Sequence, residues 1–409
     1  MLHIIWLIFI VSAFIASLYQ VIILGQIETF SEVMQAISSM AKLSVEIAIG
    51  LIGLLAFWLG IFQVAEQSGL VAKLSNVLAP LLTRIMPEIP KNHPALGSIT
   101  MNISANMLGL DNAATPFGIK AMQDMQSLSN KKDTLSNAQI LFLVLNTSSV
   151  TLFPIAVFLY RAEQGAQSPT DVFIPILLAT SASTLAGLLV TCLIQRINVF
   201  HHIILLYLVG LFSLLTALIL YFAQLSTQAM AEQSSLLANS LLFSFIVLVL
   251  VVGWRKGLNT YELFVEGAKK GFAVAISIIP FLLAMLVAIG MLRASGMMDV
   301  MVDGIASGVA LLGFDTRFVD ALPTALMKPL SGSGARALMI ETMQFHGADS
   351  FAGRLASVLQ GSTETTFYVL AVYLGAVGIK HSRYAVGCCL VADLAGIITA
   401  IVVSYWFFG

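Results

Sequence analysis

Long apolar runs broken by short polar stretches fill the chain, and nine of them match the ~20 residues a helix needs to cross a bilayer. They are 2–24, 45–65, 138–160, 172–194, 203–224, 236–253, 271–292, 353–378 and 384–407. The first is uncharged apart from His3. A signal peptide would carry a basic leader and a shorter apolar core, so this run is expected to stay as the first span. Two further stretches, 95–125 and 320–345, have two apolar arms of roughly 10–14 residues around a polar centre holding Gly or Pro, too short to cross ~30 Å of hydrocarbon. Each predicts a re-entrant helical hairpin that enters and leaves on one side. Two amphipathic segments, 30–44 and 257–270, are expected to lie along the membrane surface ahead of the spans they precede.

The pattern occurs twice. Gln67-Ser68-Gly69-Leu70 answers Ala294-Ser295-Gly296-Met297 at an offset of 296 − 69 = 227, and Ile119-Lys120-Ala121-Met122 answers Ile340-Glu341-Thr342-Met343 at 343 − 122 = 221. Phe153 answers Phe367 at 367 − 153 = 214, and Leu185-Ala186-Gly187 answers Leu394-Ala395-Gly396 at 396 − 187 = 209. The order is kept while the offset drifts through loops. This divides the chain into a first repeat at 1–200, a linking span within 201–230 and a second repeat at 231–409. Four crossings per half return the chain to its starting side, so the single linking span inverts the second half. With the N-terminus in the cytoplasm, twelve Lys and Arg, among them Lys73, Lys131, Lys132, Arg196, Lys269 and Lys380, fall in cytoplasmic loops. Only Lys42, Arg161, Arg293, Arg317 and Arg354 fall on the other side, as the positive-inside rule asks.

Composition agrees. Hydrophobic residues are 58%, charged residues 10%, and mean hydropathy is +0.94, far from the roughly 45–50% apolar and 25% charged of soluble domains. The expected class is an all-α polytopic membrane protein: about nine transmembrane helices plus two re-entrant hairpins in an inverted-topology repeat. A net charge of −1 offers no basic surface, so nucleic acid is not an expected partner. Cys192, Cys388 and Cys389 fall within apolar spans, which argues against disulfides or a thiolate metal site. The expected partners are the lipid bilayer and a small polar or anionic solute, with homo-oligomers left open. No cofactor is expected beyond a coupling H⁺ or Na⁺, and no metal site.

Candidate chemistry lies where polar residues interrupt membrane-depth segments. The first hairpin centres on Asn106, Asp111, Asn112 and Thr115 ahead of Pro116, so its helix is expected to stop near Gly109 and restart near Thr115. The second turns through Pro329-Leu330-Ser331-Gly332-Ser333-Gly334, followed by Arg336. Either tip also reads as a plain solvated turn. The interrupted spans carry Asn146-Thr147-Ser148-Ser149 and Gln360-Gly361-Ser362-Thr363-Glu364-Thr365-Thr366. Ser and Thr there serve a site or simply join helices. A carboxylate such as Glu364 costs roughly 2.5–3.5 kcal/mol at the bilayer centre, so it should face a cavity, a proton or a cation such as Arg336 or Lys328. Asp393, at the place of Thr184 in the repeat, suits a proton pathway or a pairing with a neighbour. Asp111, Glu364 and Asp393 are the expected ion-coupling groups, in a substrate site of half-helix ends and unpaired backbone groups.

At these motifs a family resemblance emerges. Asn106-Met107-Leu108-Gly109-Leu110-Asp111-Asn112-Ala113-Ala114-Thr115-Pro116-Phe117-Gly118 resembles the signature of spore maturation protein A. Gln360-Gly361-Ser362-Thr363-Glu364-Thr365-Thr366-Phe367-Tyr368-Val369-Leu370 and Ala392-Asp393-Leu394-Ala395-Gly396 resemble spore maturation protein B. The chain looks like a fusion of the two, and that group is similar to the nucleoside-recognition, or Gate, domains and to concentrative nucleoside transporters. The resemblance implies a protein of the inner (cytoplasmic) membrane with transporter-like hairpins and broken helices, and the fusion a one-to-one assembly of halves. The expected function is an ion-coupled secondary transporter of a small polar or anionic metabolite working by alternating access. The alternative is a lipid or amphiphile flippase, or an envelope-maturation scaffold. No Walker loop, His-Glu-x-x-His or Gly-x-Ser-x-Gly is present, so the protein is not expected to be an enzyme.

Overall fold

A computed structural model describes residues 2–90, 92–108, 111–129, 133–148 and 151–409, with backbone alone at 2 and 111–113. The first half holds α1 (Leu2–Ile22), α2 (Thr29–Gln67), α3 (Leu70–Ile85), α4 (Pro94–Met107), α5 (Asp111–Leu128), α6 (Asn137–Ser148), α7 (Ile155–Glu163) and α8 (Phe173–Gln195). Next come α9 (His202–Phe222), α10 (Thr227–Arg255), α11 (Thr260–Ala294) and α12 (Met297–Leu311). A 3₁₀ turn at Val319–Ala321 leads into α13 (Leu322–Met327), α14 (Gly332–His346), α15 (Phe351–Ser362), α16 (Thr366–Val377) and α17 (Ala385–Phe408).

Seven described helices, α1, α2, α8, α9, α10, α11 and α17, are long and apolar enough to cross a membrane. They coincide with seven of the nine expected runs. The other two runs are broken in the middle: α6 and α15 have 12 residues each, about 18 Å at 1.5 Å per residue, too short to cross unaided. Lengths recur in order from α2 to α8 and from α11 to α17, at 39, 16, 14, 18, 12, 9 and 23 residues against 35, 15, 6 (after the 3₁₀ turn), 15, 12, 12 and 24. The turn before α3 and the turn before α12 are made alike. Gly69 and Gly296 both sit at φ 73°, a left-handed conformation in which a Cβ would be strained.

Two expectations change. Residues 30–44 and 257–270 do not form separate surface helices; from Thr29 and Thr260 onward they run on into α2 and α11. Hydropathy shifts near Ser44 and Gly271, but no proline breaks either helix there, since Pro280 lies well inside α11. The first hairpin resumes at Asp111 rather than near Thr115 and keeps Pro116 inside α5.

Helix α2 packs along α11, and α8 along α17. The first contact is close because Gly267 and Gly271, one turn apart, face α2. A Cβ on Gly267 would lie 2.6 Å from the Gln63 Cβ, and one on Gly271 would collide with the Ala56 backbone. Small residues at such spacing let helix backbones approach where lipid offers no hydrophobic drive. Gly271→Leu is therefore expected to cost at least about 1–3 kcal/mol by overpacking, seen as a lower thermal midpoint in detergent. Gly53→Leu, where a Cβ meets nothing within 4 Å, is the control, and equal midpoints for the two would overturn this account. The core spreads from this pair: Ile47 and Leu51 of α2, Leu286 and Ile289 of α11, Phe158 of α7, Ile174 of α8 and Val358 of α15 are all buried together.

Candidate functional site

Each hairpin is tied to the broken helix of its own half by one backbone bond. In the first half the Leu152 amide, just past the end of α6, donates to the Met107 carbonyl at the end of α4 at 2.8 Å. In the second, the Phe367 amide at the start of α16 donates to the Pro329 carbonyl beyond α13 at 2.9 Å. The two breaks also meet each other, because the Glu364 amide donates to the Thr147 carbonyl at 2.8 Å. The C-terminal end of α4, the chain just beyond α13 and both broken helices are thus linked at one locus, where helix ends leave peptide groups without intrahelical partners.

Side chains from α8 and α17 serve those ends. Thr180 and Thr184 hydroxyls donate to the Ser148 carbonyl at 3.3 and 2.9 Å, covering the C-terminus of α6. Asp393, on α17 where Thr184 stands on α8, accepts from the Thr366 hydroxyl at 2.7 Å. A carboxylate beside the first residue of α16 also suits the positive end of that helix. The approach depends on Gly187 and Gly396: a Cβ on Gly396 would sit 2.8 Å from Thr363 Cγ2 and 3.2 Å from Ser183 Cβ.

The residues named from sequence gather here unevenly. Asn106 Nδ2 donates to Asn146 Oδ1 at 3.0 Å, and Tyr373 OH, itself a 3.3 Å acceptor from Asn102 Nδ2, donates to the same oxygen at 3.3 Å. This network ties α4, α6 and α16 together. Ser331 caps α14, its Oγ accepting from the Gly334 amide at 3.0 Å, and lies 3.2 Å from Ser333 Oγ. Thr365 presses on Gly332, whose Cβ would come within 2.6 Å of Thr365 Oγ1. Thr147, Ser148 and Ser362 are buried, with hydroxyls donating back to Val144 or Leu359 carbonyls of their own helices, so they pack helices. Glu364 and Thr115 are half-buried. The side chains of Asp111 and Asn112, and all of Ser149, lie outside the described residues.

Three buried oxygens on the elements that meet here, Gln360 Oε1, Asp393 Oδ1 and Ser183 Oγ, have no hydrogen-bond partner among the described residues, and neither do Asn102 Oδ1 and Ser104 Oγ on α4. Lys328, also buried, lies within electrostatic range of Asp393.

Arg336 stands apart, its guanidinium 5.3 Å from the centre of the Tyr160 ring. It lines a cleft of ≈ 630 Å³ between α2 and α11 on one wall and α5, α7 and α14 on the other.

Sequence reasoning missed several groups. Tyr373 is a polar residue within an apolar run, and Asn102 is one of several polar residues on α4, beside Thr100, Ser104 and Asn106. A quartet of charges joins the halves at one end: Arg161, wholly buried, holds Asp171 at 3.0 Å and Asp349 at 3.3 Å, and Arg354 Nε holds Asp171 at 2.7 Å. Arg293 pairs with Glu341 and with Asp299, the latter at 3.1 Å. The usable signal was positional, since Arg161 and Arg354 were both assigned to the same side, close in sequence to Asp171 and Asp349.

Comparison with known proteins matches residues 48–163 and 275–380 to the Gate family, described as nucleoside recognition. The chain is 41% identical over 162 residues to Spore maturation protein A of Bacillus subtilis (strain 168), covering 40% of this chain and 83% of that protein. It is 45% identical over 161 residues to Spore maturation protein B of the same organism, covering 39% of this chain and 89% of that protein. No solved structure matches it.

Proposed function

We propose, since the chain belongs to the Gate (nucleoside recognition) family, that this multi-pass membrane protein is an ion-coupled secondary transporter. It moves a small polar or anionic metabolite by alternating access between two inverted repeats, each a hairpin and a broken span. The observation that carries this reading is the meeting of the two breaks at Glu364 and Thr147, each break bonded to its own hairpin. Discontinuous helices with their ends at one central point are how transporters bind solutes and coupling ions within a bilayer.

The inverted arrangement, with nine crossings and the N-terminus in the cytoplasm, has support of its own. If the second half is inverted, loops 129–136 and 379–384 share the cytoplasmic face while 164–172 and 346–350 share the other. The Lys380 amide donates to the Asp133 carbonyl at 3.0 Å and the Leu135 amide to the His381 carbonyl at 3.2 Å. At the other end Gln167 N donates to Asp349 Oδ2 at 2.9 Å. Helix ends agree: Gln63 meets Lys270 at 2.8 Å, and Gln20 meets the Ser295 carbonyl at 3.2 Å. The start points of the family match differ by 275 − 48 = 227, the offset that relates Gly69 to Gly296. Two separate relatives, each matching about two fifths of the chain, favour a fusion with units at 1–200 and 231–409 joined by a span within 201–230. Their names describe spore maturation, a process and not a solute.

Asp393 and Glu364, with Asp111, are assigned the coupling ion, and Gln360, Asn146 and the tip residues the solute. Catalysis has no part in this reading, for Ser331, the serine that most invites it, is engaged in capping α14. The test is a thermal-shift screen of the purified protein against nucleosides, carboxylates and amino acids, with and without Na⁺ and at several pH values. Uptake of the stabilising solute into proteoliposomes follows. Accumulation above equilibrium under an imposed Na⁺ or pH gradient is expected; simple equilibration under both gradients would overturn the proposal.

A further inference from the structure

Two charged positions are matched between the halves with their signs exchanged. Glu66 answers Arg293 at 293 − 66 = 227, the offset that relates Gly69 to Gly296, and Lys120 answers Glu341 at 341 − 120 = 221, the offset that relates Met122 to Met343. The first half thus carries an acid at the end of α2 and a base on α5. The second carries a base at the end of α11 and an acid on α14. Either combination can form an ion pair.

In the second half the pair is made. Arg293 Nε donates to the buried Glu341 carboxylate, and its guanidinium lies 3.9 Å from the centre of the Phe345 ring. Helix α14 packs on α11, and Ile289 and Leu338, about one turn away from the pair, are buried in one core. In the first half the pair is not made. Glu66 and Lys120 are both exposed, and no ion pair joins them among the described residues. Phe62 and Phe117 stand where Ile289 and Leu338 stand in the repeat (289 − 62 = 227, 338 − 117 = 221). They line opposite walls of the ≈ 630 Å³ cleft, with Glu66 beside Phe62. Spacings of four from Phe62 to Glu66 and three from Phe117 to Lys120 keep each charge on the same helix face as its aromatic neighbour. The same helix-to-hairpin contact is therefore shut in one half and open in the other.

We infer that the two pairs alternate: in a second state Glu66 and Lys120 close on each other across the cleft while Arg293 and Glu341 separate. Each pair stabilises one state and is absent from the other, which is the differential contact a two-state equilibrium needs. Two charges that only face water would require neither complementary signs nor faces turned toward one cleft. Lys270, another cation at this rim, belongs to α11, which packs along α2, so pairing with it would not register movement of α5. The inference deepens the transporter reading and rests on its inverted arrangement. There Glu66 lies at the cytoplasmic end of α2 and Arg293 at the opposite end of α11, so the state described is the one open to the cytoplasm.

The experiment uses the full chain in membranes, carrying Cys192→Ala, Cys388→Ala and Cys389→Ala. An ion pair leaves Cβ atoms too far apart for a disulfide, so the reagent is a bis-methanethiosulfonate with an ethylene spacer. It is expected to crosslink Arg293→Cys with Glu341→Cys and, in a separate preparation, Glu66→Cys with Lys120→Cys. Cleft opening is read by maleimide labelling of Ala156→Cys, an exposed residue of the cleft wall. Arg293→Gln releases the second-half pair and is expected to slow labelling about threefold or more. Adding Lys120→Glu, which sets like charges across the closed cleft, should restore the parent's rate, and adding Glu66→Lys as well should slow it again. An absent crosslink between 66 and 120 overturns the inference, as does labelling that Arg293→Gln leaves unchanged or speeds. Should Arg293→Gln fail to fold, Glu341→Gln releases the same pair in its place, and if neither folds the crosslink decides alone. Crosslinking and labelling need neither solute nor gradient. Both pairs crosslinking in a chain that accumulates no solute sinks transport and keeps the alternation; accumulation by a chain whose 66–120 pair never crosslinks does the reverse.

Discussion

Asp171→Leu is expected to cost about 3–5 kcal/mol of stability, the usual consequence of stripping one partner from a buried ion pair. Asp171 and Arg161 are both wholly buried, 3.0 Å apart. The Arg161 guanidinium cannot escape to water, because Nη1 donates to the Ala348 carbonyl at 2.8 Å and Nε to the Pro169 carbonyl at 3.1 Å. Without Asp171 its remaining carboxylate partner among the described residues is Asp349, at 3.3 Å and partly exposed. Arg354→Gln touches the same cluster from its wetter side, where the side chain is 24% exposed, and is expected to cost about 1 kcal/mol or less. The paired change Arg161→Met with Asp171→Leu should recover most of the loss, since apolar replacement of both members of a buried pair is often neutral. Thermal midpoints and denaturant titration in detergent check all three. A loss below about 1 kcal/mol for Asp171→Leu would mean that the pair is not desolvated as its burial indicates. The cluster joins α7 of one half to α15 of the other, so any opening between the halves at that end must first separate these charges.

Much of this architecture was legible because it depends on length and period. A run of about 20 apolar residues states a span whatever its neighbours do, and seven of the nine runs are single helices. Polar interruptions at Asn146–Ser149 and Gln360–Thr366 marked the other two, since a chain at membrane depth keeps such residues only where protein or a cavity satisfies them. The boundary of the surface helices was misread because a change in hydropathy is not a change in conformation. Residues 30–44 contain neither glycine nor proline, and so α2 simply continues. Site chemistry was less legible than site position. Thr147 and Ser148 look like ligands in sequence but donate to Val144, a choice made by rotamer and not by residue type. Tyr373 gave no signal, because one polar residue in an apolar helix acquires meaning only when Asn146, from a distant segment, lies 3.3 Å away, and Asn102 was hidden among the other polar residues of α4. The charge quartet depends on two loops nearly 190 residues apart, as the 188-residue separation of Arg161 and Asp349 shows. Their shared side of the membrane hints at such a cluster, and tertiary contact is what pairs its members.

Asp393→Asn is expected to abolish gradient-driven accumulation while leaving the fold intact. The carboxylate is 2% exposed, and one oxygen accepts from Thr366 at 2.7 Å. An asparagine fills the same volume and its amide oxygen can accept the same bond, so stability should stay within about 1 kcal/mol of the parent. What the substitution removes is the negative charge, and with it the capacity to take up and release a cation. Thr366→Val is the complementary change. It keeps the charge but leaves both carboxylate oxygens without the hydroxyl, and is expected to cost about 1–3 kcal/mol. Both variants are measured by thermal midpoint and by proteoliposome uptake under pH and Na⁺ gradients. Asp393→Asn that accumulates solute as well as the parent would remove Asp393 from the coupling site and leave it as a cap for α16. Loss of accumulation at unchanged stability has no structural explanation, because a residue serving only to hold α16 in place would show its loss in the midpoint first. Position 393 is also one at which the halves differ in charge: its counterpart Thr184 spends its hydroxyl on the Ser148 carbonyl, whereas Asp393 keeps one oxygen unspent among the described residues. A duplicated scaffold that is symmetric in its bonds and asymmetric at this position can bind the ion in one half and the solute across both.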